Sequence, residues 1–313
     1  MNSVFSNDDI DFAEYYDEAE PIAKVIPAEA WGEELVKLHS NPTRLSGAKL
    51  PWKSTQEIMR FRPGETTLWA GYSGHGKSLA LGNAVLGFTA QGEKSCIASF
   101  EMAPLATLER MERQAAMVAT PADEFTPGFM AWLRDKLWIY NHIGHADLRT
   151  LYAVIRYCGR KLGIQHFVVD SLMRCVRGED DYNGQKDFVI AMTALAKELN
   201  MHIHIVHHMR KGETEEKAPG KSDVKGSNSI TDNVDQGVIV WRNKFKEQRV
   251  ERALSAGDPI PDDVHAMPDA FVIFIKNRVT GEETRVPLWF HRESMQFTGS
   301  SRRVPVNFLG SLV

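Results

Sequence analysis

Cysteine is nearly missing from this chain: three occur in 313 residues, Cys96, Cys158 and Cys175. They are too widely spaced for a zinc module and odd in number for a disulfide framework, which leaves reduced thiols and a cytoplasmic setting as the expectation. No apolar run approaches the length that spans a bilayer, and no basic stretch followed by an apolar one opens the chain, so no membrane partner is expected. Internal repeats and low-complexity blocks are also lacking. There is no excess of basic charge either. With a formal net charge of -4, contact with nucleic acid has to come from local loops rather than from the whole surface. Residues 1–20 hold no lysine or arginine but seven acids, Asp8, Asp9, Asp11, Glu14, Asp17, Glu18 and Glu20, the composition of a solvated tail without a packed core.

What the chain does have is the octapeptide Gly71-Tyr72-Ser73-Gly74-His75-Gly76-Lys77-Ser78, a full match to the phosphate-binding loop pattern G-x-x-x-x-G-K-[ST]. The pattern has a mechanical basis. Gly71, Gly74 and Gly76 let the backbone turn tightly enough for successive N–H groups, including those near Ser73, Ser78 and Leu79, to cradle phosphates. Lys77 reaches the outer phosphates, and the Ser78 hydroxyl is a ligand for Mg²⁺. An apolar strand over 66–70 precedes the loop and a helix from Leu79 to Gln91 follows it, ending near Gly92. ATP, or another nucleoside triphosphate, with Mg²⁺ is the expected cofactor.

From about Gly47 onward, apolar strands alternate with longer amphipathic segments, which predicts an α/β architecture with a mainly parallel sheet and helices on both faces. The predicted strands are 66–70, 95–100, 137–140, 166–170, 202–207, 237–241, 271–276 and 285–290, the last of them forming an antiparallel extension. Phe188, Val189, Met192, Leu195, Ala196 and Leu199 share one face of a helix predicted from Gln185 to Asn200. Two polar stretches, Gly212 to Lys225 and Arg252 to Pro268, read as loops. Before the core, Trp31, Leu35 and Leu38 recur at helical spacing between Pro27 and Pro42, a short stripe that needs its own domain or a neighbouring subunit to cover it. The expected division is an acidic tail and linker helix over 1–44, an ATPase domain over 45–300 and a tail over 301–313.

Three strand ends carry chemistry. The strand ending in Asp170 offers an acid for the metal shell, and Ser95 to Met102 delivers Glu101 at a C-terminal edge, where a carboxylate can polarise an attacking water. In His202-Ile203-His204-Ile205-Val206-His207-His208, His202 and His204 share a face but have no cysteine or carboxylate to complete a metal site. His207 or His208 can instead hydrogen-bond a γ-phosphate.

These blocks, in this order, resemble the RecA-like hexameric replicative helicases of the DnaB superfamily, most nearly the helicase half of phage primase-helicases and of Twinkle. The marks are the phosphate loop, Ser99-Phe100-Glu101-Met102, Val168-Val169-Asp170-Ser171 and Val206-His207-His208-Met209-Arg210. They continue with Asp223-Val224-Lys225-Gly226-Ser227 and Asp235, and end with Ile275-Lys276-Asn277-Arg278-Val279-Thr280-Gly281. The resemblance covers about Gly47 to Phe297 and implies a RecA-like P-loop core. It makes Glu101 similar to the catalytic base, Asp170 to the Walker B acid and His208 to the phosphate sensor. Arg278 resembles the arginine finger, with Lys276 beside it, acting on the ATP of the next subunit, and Arg242 and Phe290 resemble the pair that sandwiches the adenine. Single-stranded DNA would be held by loops at Gly178 to Lys186 and Arg210 to Lys225, with Lys186, Arg210, Lys211, Lys217, Lys221 and Lys225 as phosphate partners.

The function implied is an ATP-dependent replicative helicase, a ring that translocates 5′ to 3′ on single-stranded DNA, unwinds forks as a homo-hexamer, and is phage-encoded in a host cytoplasm. The same motifs also suit a RecA-like recombinase or mediator that binds DNA without unwinding it, and a regulatory ATPase with no DNA partner. Roughly fifty residues precede the core, too few for a primase, so priming, loading and polymerase functions are expected of separate partners.

Overall fold

The computed structural model describes residues 4–5, 27–33, 35–36, 47–178, 180–210, 217–225 and 228–310. The acids of the N-terminal segment, together with Leu38, Lys211, Gly226 and Ser227, lie outside the described residues. One sheet organises the rest, in the order β1-β4-β3-β5-β6-β2-β7-β8-β9-β10. Its strands are β1 (Val4–Phe5), β2 (Thr66–Ala70), β3 (Ser95–Ser99), β4 (Leu137–Tyr140), β5 (His166–Asp170), β6 (His202–Val206), β7 (Gln236–Arg242), β8 (Ala270–Asn277), β9 (Thr284–His291) and β10 (Gln296–Thr298).

Pairing is parallel from β1 through β7 and antiparallel from β7 to β10. The parallel centre is legible because strands covered on both faces become continuous apolar runs, and β2, β3, β4 and β6 are buried at every position. Strand β8 mixes buried and half-buried positions, as one less covered face requires.

Helices α1 (Lys77–Ala90), α2 (Pro104–Ala116) and α3 (Phe125–Leu133) pack on one face of the sheet through Leu81, Val85, Met111 and Phe129. On the other face, α4 (Leu148–Tyr157) and α5 (Tyr182–Leu199) bury Leu151, Val154, Phe188 and Met192. Two capping aspartates start those helices: Asp147 accepts from the Thr150 amide, and Asp181 accepts from the Gly184 amide at 3.0 Å.

The structure departs from the sequence reading at several points. Arg252 to Pro268 reads as a loop in the sequence but is largely helical, in α7 (Lys244–Ala256) and α8 (Asp262–Ala266), following the short α6 (Asn228–Asn233). Helix α7 begins on the Asn243 cap and ends at Gly257, whose φ is 75°. Only Lys246 on it is buried, and Phe245 and Leu254 are exposed, so no apolar stripe announces it. Strand β10 escapes notice because it is three residues long. Val4–Phe5 of the acidic segment pair with Ile139 and Tyr140 at the sheet edge. Residues 301–310 are anchored rather than trailing, with Phe308 and Leu309 buried and the Val306 amide donating to Gln296 Oε1 at 2.8 Å. Trp31 and Leu35 are exposed, so among the described residues nothing covers this part of the stripe before the core.

Candidate nucleotide and nucleic-acid site

The phosphate loop leaves the C-terminal end of β2 and enters α1 directly, which aims the α1 N-terminus at whatever the loop holds. Gly76, the residue before the helix, has φ 86°, and a Cβ there would lie 2.8 Å from the Phe297 ring. Gly71 is excluded from substitution by proximity: a Cβ would meet the Val240 carbonyl oxygen at 2.5 Å. Lys77 Nζ donates to the carbonyls of Gly71 and Tyr72, both at 2.9 Å, so the ammonium is held over the loop's mouth. Burial lowers its proton affinity, against the opposing pull of Asp170 and Glu101.

Strands β3 and β5 are neighbours with Ser99 paired to Asp170, and this register brings their terminal acids to one edge. Ser78 Oγ donates to Asp170 Oδ2 at 2.8 Å. Burial raises the Asp170 pKa and the Ser78 bond counters it; the Glu101 charge pushes it further up, while Lys77 and Arg110 pull it down. Glu101 sits just past β3 on the exposed edge. Its Oε1 accepts from Ser171 Oγ at 3.1 Å and from Arg174 Nε at 3.4 Å. A hydroxyl, two carboxylates and an ammonium therefore converge at the strand ends.

Two further strands touch the loop. The His207 amide donates to the Trp69 carbonyl at 2.8 Å and the Met209 amide to Gly71 at 3.2 Å, so the end of β6 runs alongside the phosphate loop. The buried His207 donates from Nε2 to the Lys225 carbonyl at 2.6 Å, and burial takes its pKa down to about 4, leaving a neutral ring. His208 is half-buried beside it, and its carbonyl accepts from the Lys225 amide at 3.1 Å. The Met209–Val224 bridge closes the same segment. From β7, the Arg242 amide donates to His75 Nδ1 at 3.1 Å and its Nη1 to the Gly74 carbonyl at 3.1 Å, while Glu247 pairs with the guanidinium at 2.7 Å. Arg242, Phe290, Leu79 and Phe297 line one cleft beside Gly74 and Gly76. The Phe290 and Phe297 ring centroids are 5.3 Å apart.

Lys276 and Arg278 stand elsewhere. Strand β8 runs antiparallel to β7, with Asn277 opposite Gln236, and Gln236 is in turn opposite Thr67 near the start of β2. Both residues therefore emerge at the N-terminal edge of the parallel strands, while the phosphate loop leaves the C-terminal edge. Thr66 to Ala70 alone separates those edges by about 13 Å. Arg278 Nη1 pairs with Asp235 Oδ1 at 2.8 Å, and Asp235 Oδ2 accepts from the Thr66 amide at 2.9 Å. Lys276 Nζ donates to the Thr231 and Asp232 carbonyls at 2.9 and 2.8 Å, and burial lowers its pKa.

A family model described as the DnaB-like helicase C terminal domain matches residues 55–299. The chain belongs to that family. It is accordingly an ATP hydrolase of the DnaB-like replicative helicases, and the recombinase or mediator alternative is set aside. Among solved structures, one described as an ATPase domain is similar with a TM-score of 0.71 at 14% identity, over 87% of this chain and 97% of that one. A DnaB-like replicative helicase, solved with attention to its interactions with primase, is similar with a TM-score of 0.68 at 15% identity, over 88% of this chain and 67% of that one. At such identities the likeness concerns the fold, a RecA-like α/β core.

Of the candidate DNA contacts in this DnaB-like domain, Lys186 is exposed near the start of α5, and Arg210 is exposed, its amide donating to the Asp223 carbonyl at 2.8 Å. Lys217 is exposed and Lys225 is half-buried. Lys221 Nζ lies 3.3 Å from Asp232 Oδ1. Among the described residues, no group of three or more histidines, cysteines or acids is arranged to hold a metal ion. His202 and His204 are instead tied to core partners: His202 bridges the Arg62 carbonyl and Thr67 Oγ1, and His204 Nδ1 accepts from the Trp69 indole. No described helix is long and apolar enough to cross a membrane.

Sequence reading misses Ser171 and Arg174 as partners of Glu101, His75 as the residue joining the phosphate loop to β7, and Glu247 as the acid paired with Arg242. Ser171 and His75 lie inside motifs already marked, so their positions are signalled. Arg174 and Glu247 carry no signal beyond being charged.

Proposed function

We propose that this DnaB-like helicase is a translocase on single-stranded DNA that moves 5′ to 3′ and unwinds the duplex as a head-to-tail hexameric ring, hydrolysing ATP between subunits. Lys77 and the loop amides bind the phosphates. Glu101 acts as base toward the attacking water, His208 senses the γ-phosphate, and Arg278 with Lys276 completes the site of the neighbouring subunit. Arg242 and Phe290 hold the base. Ser78 and Asp170 fit Mg²⁺: they are hard oxygen donors already 2.8 Å apart and beside Lys77, and Mg²⁺ commonly takes only one or two protein ligands together with phosphates and water. When bound, the ion would neutralise charge on the phosphates. Lys186, Arg210, Lys211, Lys221 and Lys225 contact the DNA backbone. Partners of the primase, loader or polymerase kind are separate chains, and the stripe at Trp31 docks on the adjacent protomer.

The observation that carries this reading is the opposition of the two sheet edges. A cationic pair on the edge away from its own phosphate loop suits a finger supplied in trans, and each subunit then owns half of two sites.

The test compares ATP hydrolysis by wild type, Arg278→Ala and mixtures of the two, with and without single-stranded DNA. DNA-stimulated turnover should fall by about 10³ in Arg278→Ala, and mixing should poison the wild type beyond simple dilution. Turnover indifferent to both DNA and Arg278 would refute the reading.

A further inference from the structure

Glu101 does not stand free at the edge of the sheet. Its Oε1 is engaged twice, by the Ser171 hydroxyl at 3.1 Å and by the Arg174 guanidinium at 3.4 Å. A carboxylate oxygen that already accepts two hydrogen bonds, one of them charge-assisted, is held toward those partners. Both partners follow β5 immediately, in the turn Leu172–Arg174 and the residue before it.

The backbone of that turn is fixed. The Arg174 amide donates to Ser171 at 3.0 Å, the Cys175 amide to Leu172 at 2.8 Å, and the Ala146 amide to the Arg174 carbonyl at 2.8 Å. The Arg174 side chain is not fixed in the same way. It is 51% exposed, and Glu101 is 39% exposed, so their contact is one that water and ions can exchange. Beyond the buried Cys175 and Val176, the chain enters the segment from Arg177 to Asp181 that leads to Lys186. There Asp181 ties the Arg177 amide at 3.3 Å to the first turn of α5. Arg174 is therefore an exposed cation in contact with the candidate base, and it stands in the chain just before the segment that leads to the candidate DNA loop.

Resting on the reading of Glu101 as the base, we infer that Arg174 is a positioning residue that holds Glu101 away from the nucleotide until a DNA phosphate draws the guanidinium off. In the DNA-free protein Arg174 and Ser171 occupy Glu101 Oε1, and hydrolysis is slow. A backbone phosphate bound at the loop that follows Arg174 offers the guanidinium a bidentate acceptor of higher charge. Glu101 is then left with Ser171 alone and can turn to the attacking water. DNA stimulation of hydrolysis becomes, in part, the release of a local clamp.

The experiment uses the full chain and measures steady-state ATP hydrolysis with and without oligo-dT for wild type, Arg174→Ala, Arg174→Lys, Ser171→Ala and Glu101→Gln. Loss of an exposed charged contact predicts that Arg174→Ala raises DNA-free kcat about fivefold with KM for ATP unchanged, and that the stimulation ratio falls by the same factor. Arg174→Lys keeps the charge and should restore most of the ratio; Ser171→Ala should raise DNA-free kcat by a smaller factor. A DNA-free kcat in Arg174→Ala that is unchanged or lower, with fluorescent-nucleotide binding intact, overturns the inference. Should Arg174→Ala fail to fold, Ser171→Ala decides, and an unchanged DNA-free kcat there overturns it equally. A wild type indifferent to oligo-dT, or a Glu101→Gln variant with full turnover, sinks the underlying reading of Glu101 instead. A stimulated wild type, an inactive Glu101→Gln and an unchanged Arg174→Ala sink only the clamp.

Discussion

Lowering the pH from 7 to 5 should destabilise this protein, and the cause is a set of histidines buried in its core. His166, His202, His204 and His207 are all buried. His166 stacks on Phe88 with centroids 4.3 Å apart, and its Nδ1 lies 3.2 Å from His204 Nε2. Burial pushes all four below the ordinary histidine range, His202 and His207 to about 4 and the other two well below 6.5. The unfolded chain takes up a proton at each site near pH 6.5 and the folded chain does not, so stability is full above that pH and falls as acid is added, continuing down to about pH 4. Four sites set an upper limit on the slope of about 5 kcal/mol per pH unit. Domains of this kind are held by about 5–15 kcal/mol in total. Glu65, Glu93 and Asp170, whose pKa values burial raises, oppose the trend because the folded form protonates them first. Urea unfolding followed by circular dichroism at pH 7, 6, 5.5 and 5 would measure the slope. His166→Phe, which keeps the stack on Phe88, should remove about one proton from it. A stability flat between pH 7 and 5, or a slope untouched by His166→Phe, would refute the argument.

Three other perturbations have definite outcomes. Gly76→Ala forces a Cβ to within 2.8 Å of the Phe297 ring at a φ of 86°, and should cost about 2 kcal/mol in urea unfolding while weakening ATP binding at least tenfold by titration. Asp269→Asn removes the charge that Lys246 Nζ at 2.6 Å and Arg303 Nε at 3.2 Å share, beside the Phe290 amide that Asp269 also accepts; it should raise KM for ATP several-fold and lower stability by about 2 kcal/mol. Asp235→Asn leaves Arg278 without its 2.8 Å partner from a carboxylate that is itself buried, so a loss of about 3 kcal/mol is expected, with DNA-stimulated turnover falling alongside.

The legible parts of this structure are those set by local pattern. The phosphate loop has to be written as glycines, lysine and serine, and the central strands have to be apolar throughout because both their faces are covered; each of the eight strands read from the sequence is present, with ends shifted by one residue at most. Helix α7 is hidden because nearly all of its side chains face water or the cleft, which leaves its Asn243 cap and Gly257 stop as its only marks. The polar contacts are illegible for a different reason. Arg174 meets Glu101 across 73 positions and Arg242 meets Gly74 across 168, and such pairings depend on which strands are neighbours, here on β5 beside β3 and β7 beside β2. His207 shows the limit most clearly: nothing in the sequence tells that it is buried and donates to the Lys225 carbonyl while the adjacent His208 is half-buried.

One short helix connects two features that the sequence presents as separate. The last carbonyls of α6 receive Lys276 Nζ at Thr231 and Asp232, Arg278 Nη2 approaches Asp232, and the Asp232 carboxylate pairs with Lys221. Cations gather there because a helix C-terminus leaves carbonyls without intrahelical donors and carries the negative end of the backbone dipole. Under the roles proposed above, Lys221 belongs to a DNA loop, and Lys276 and Arg278 belong to the site of the next subunit. A DNA phosphate that takes Lys221 from Asp232 thereby changes the charge around the helix end that holds the finger. The Lys221 contact is exposed and weak, whereas Arg278 is held to the buried Asp235, so the loop can exchange partners without releasing the finger altogether. That inequality is what a motor needs if DNA occupancy in one subunit is to adjust, rather than abolish, hydrolysis in its neighbour.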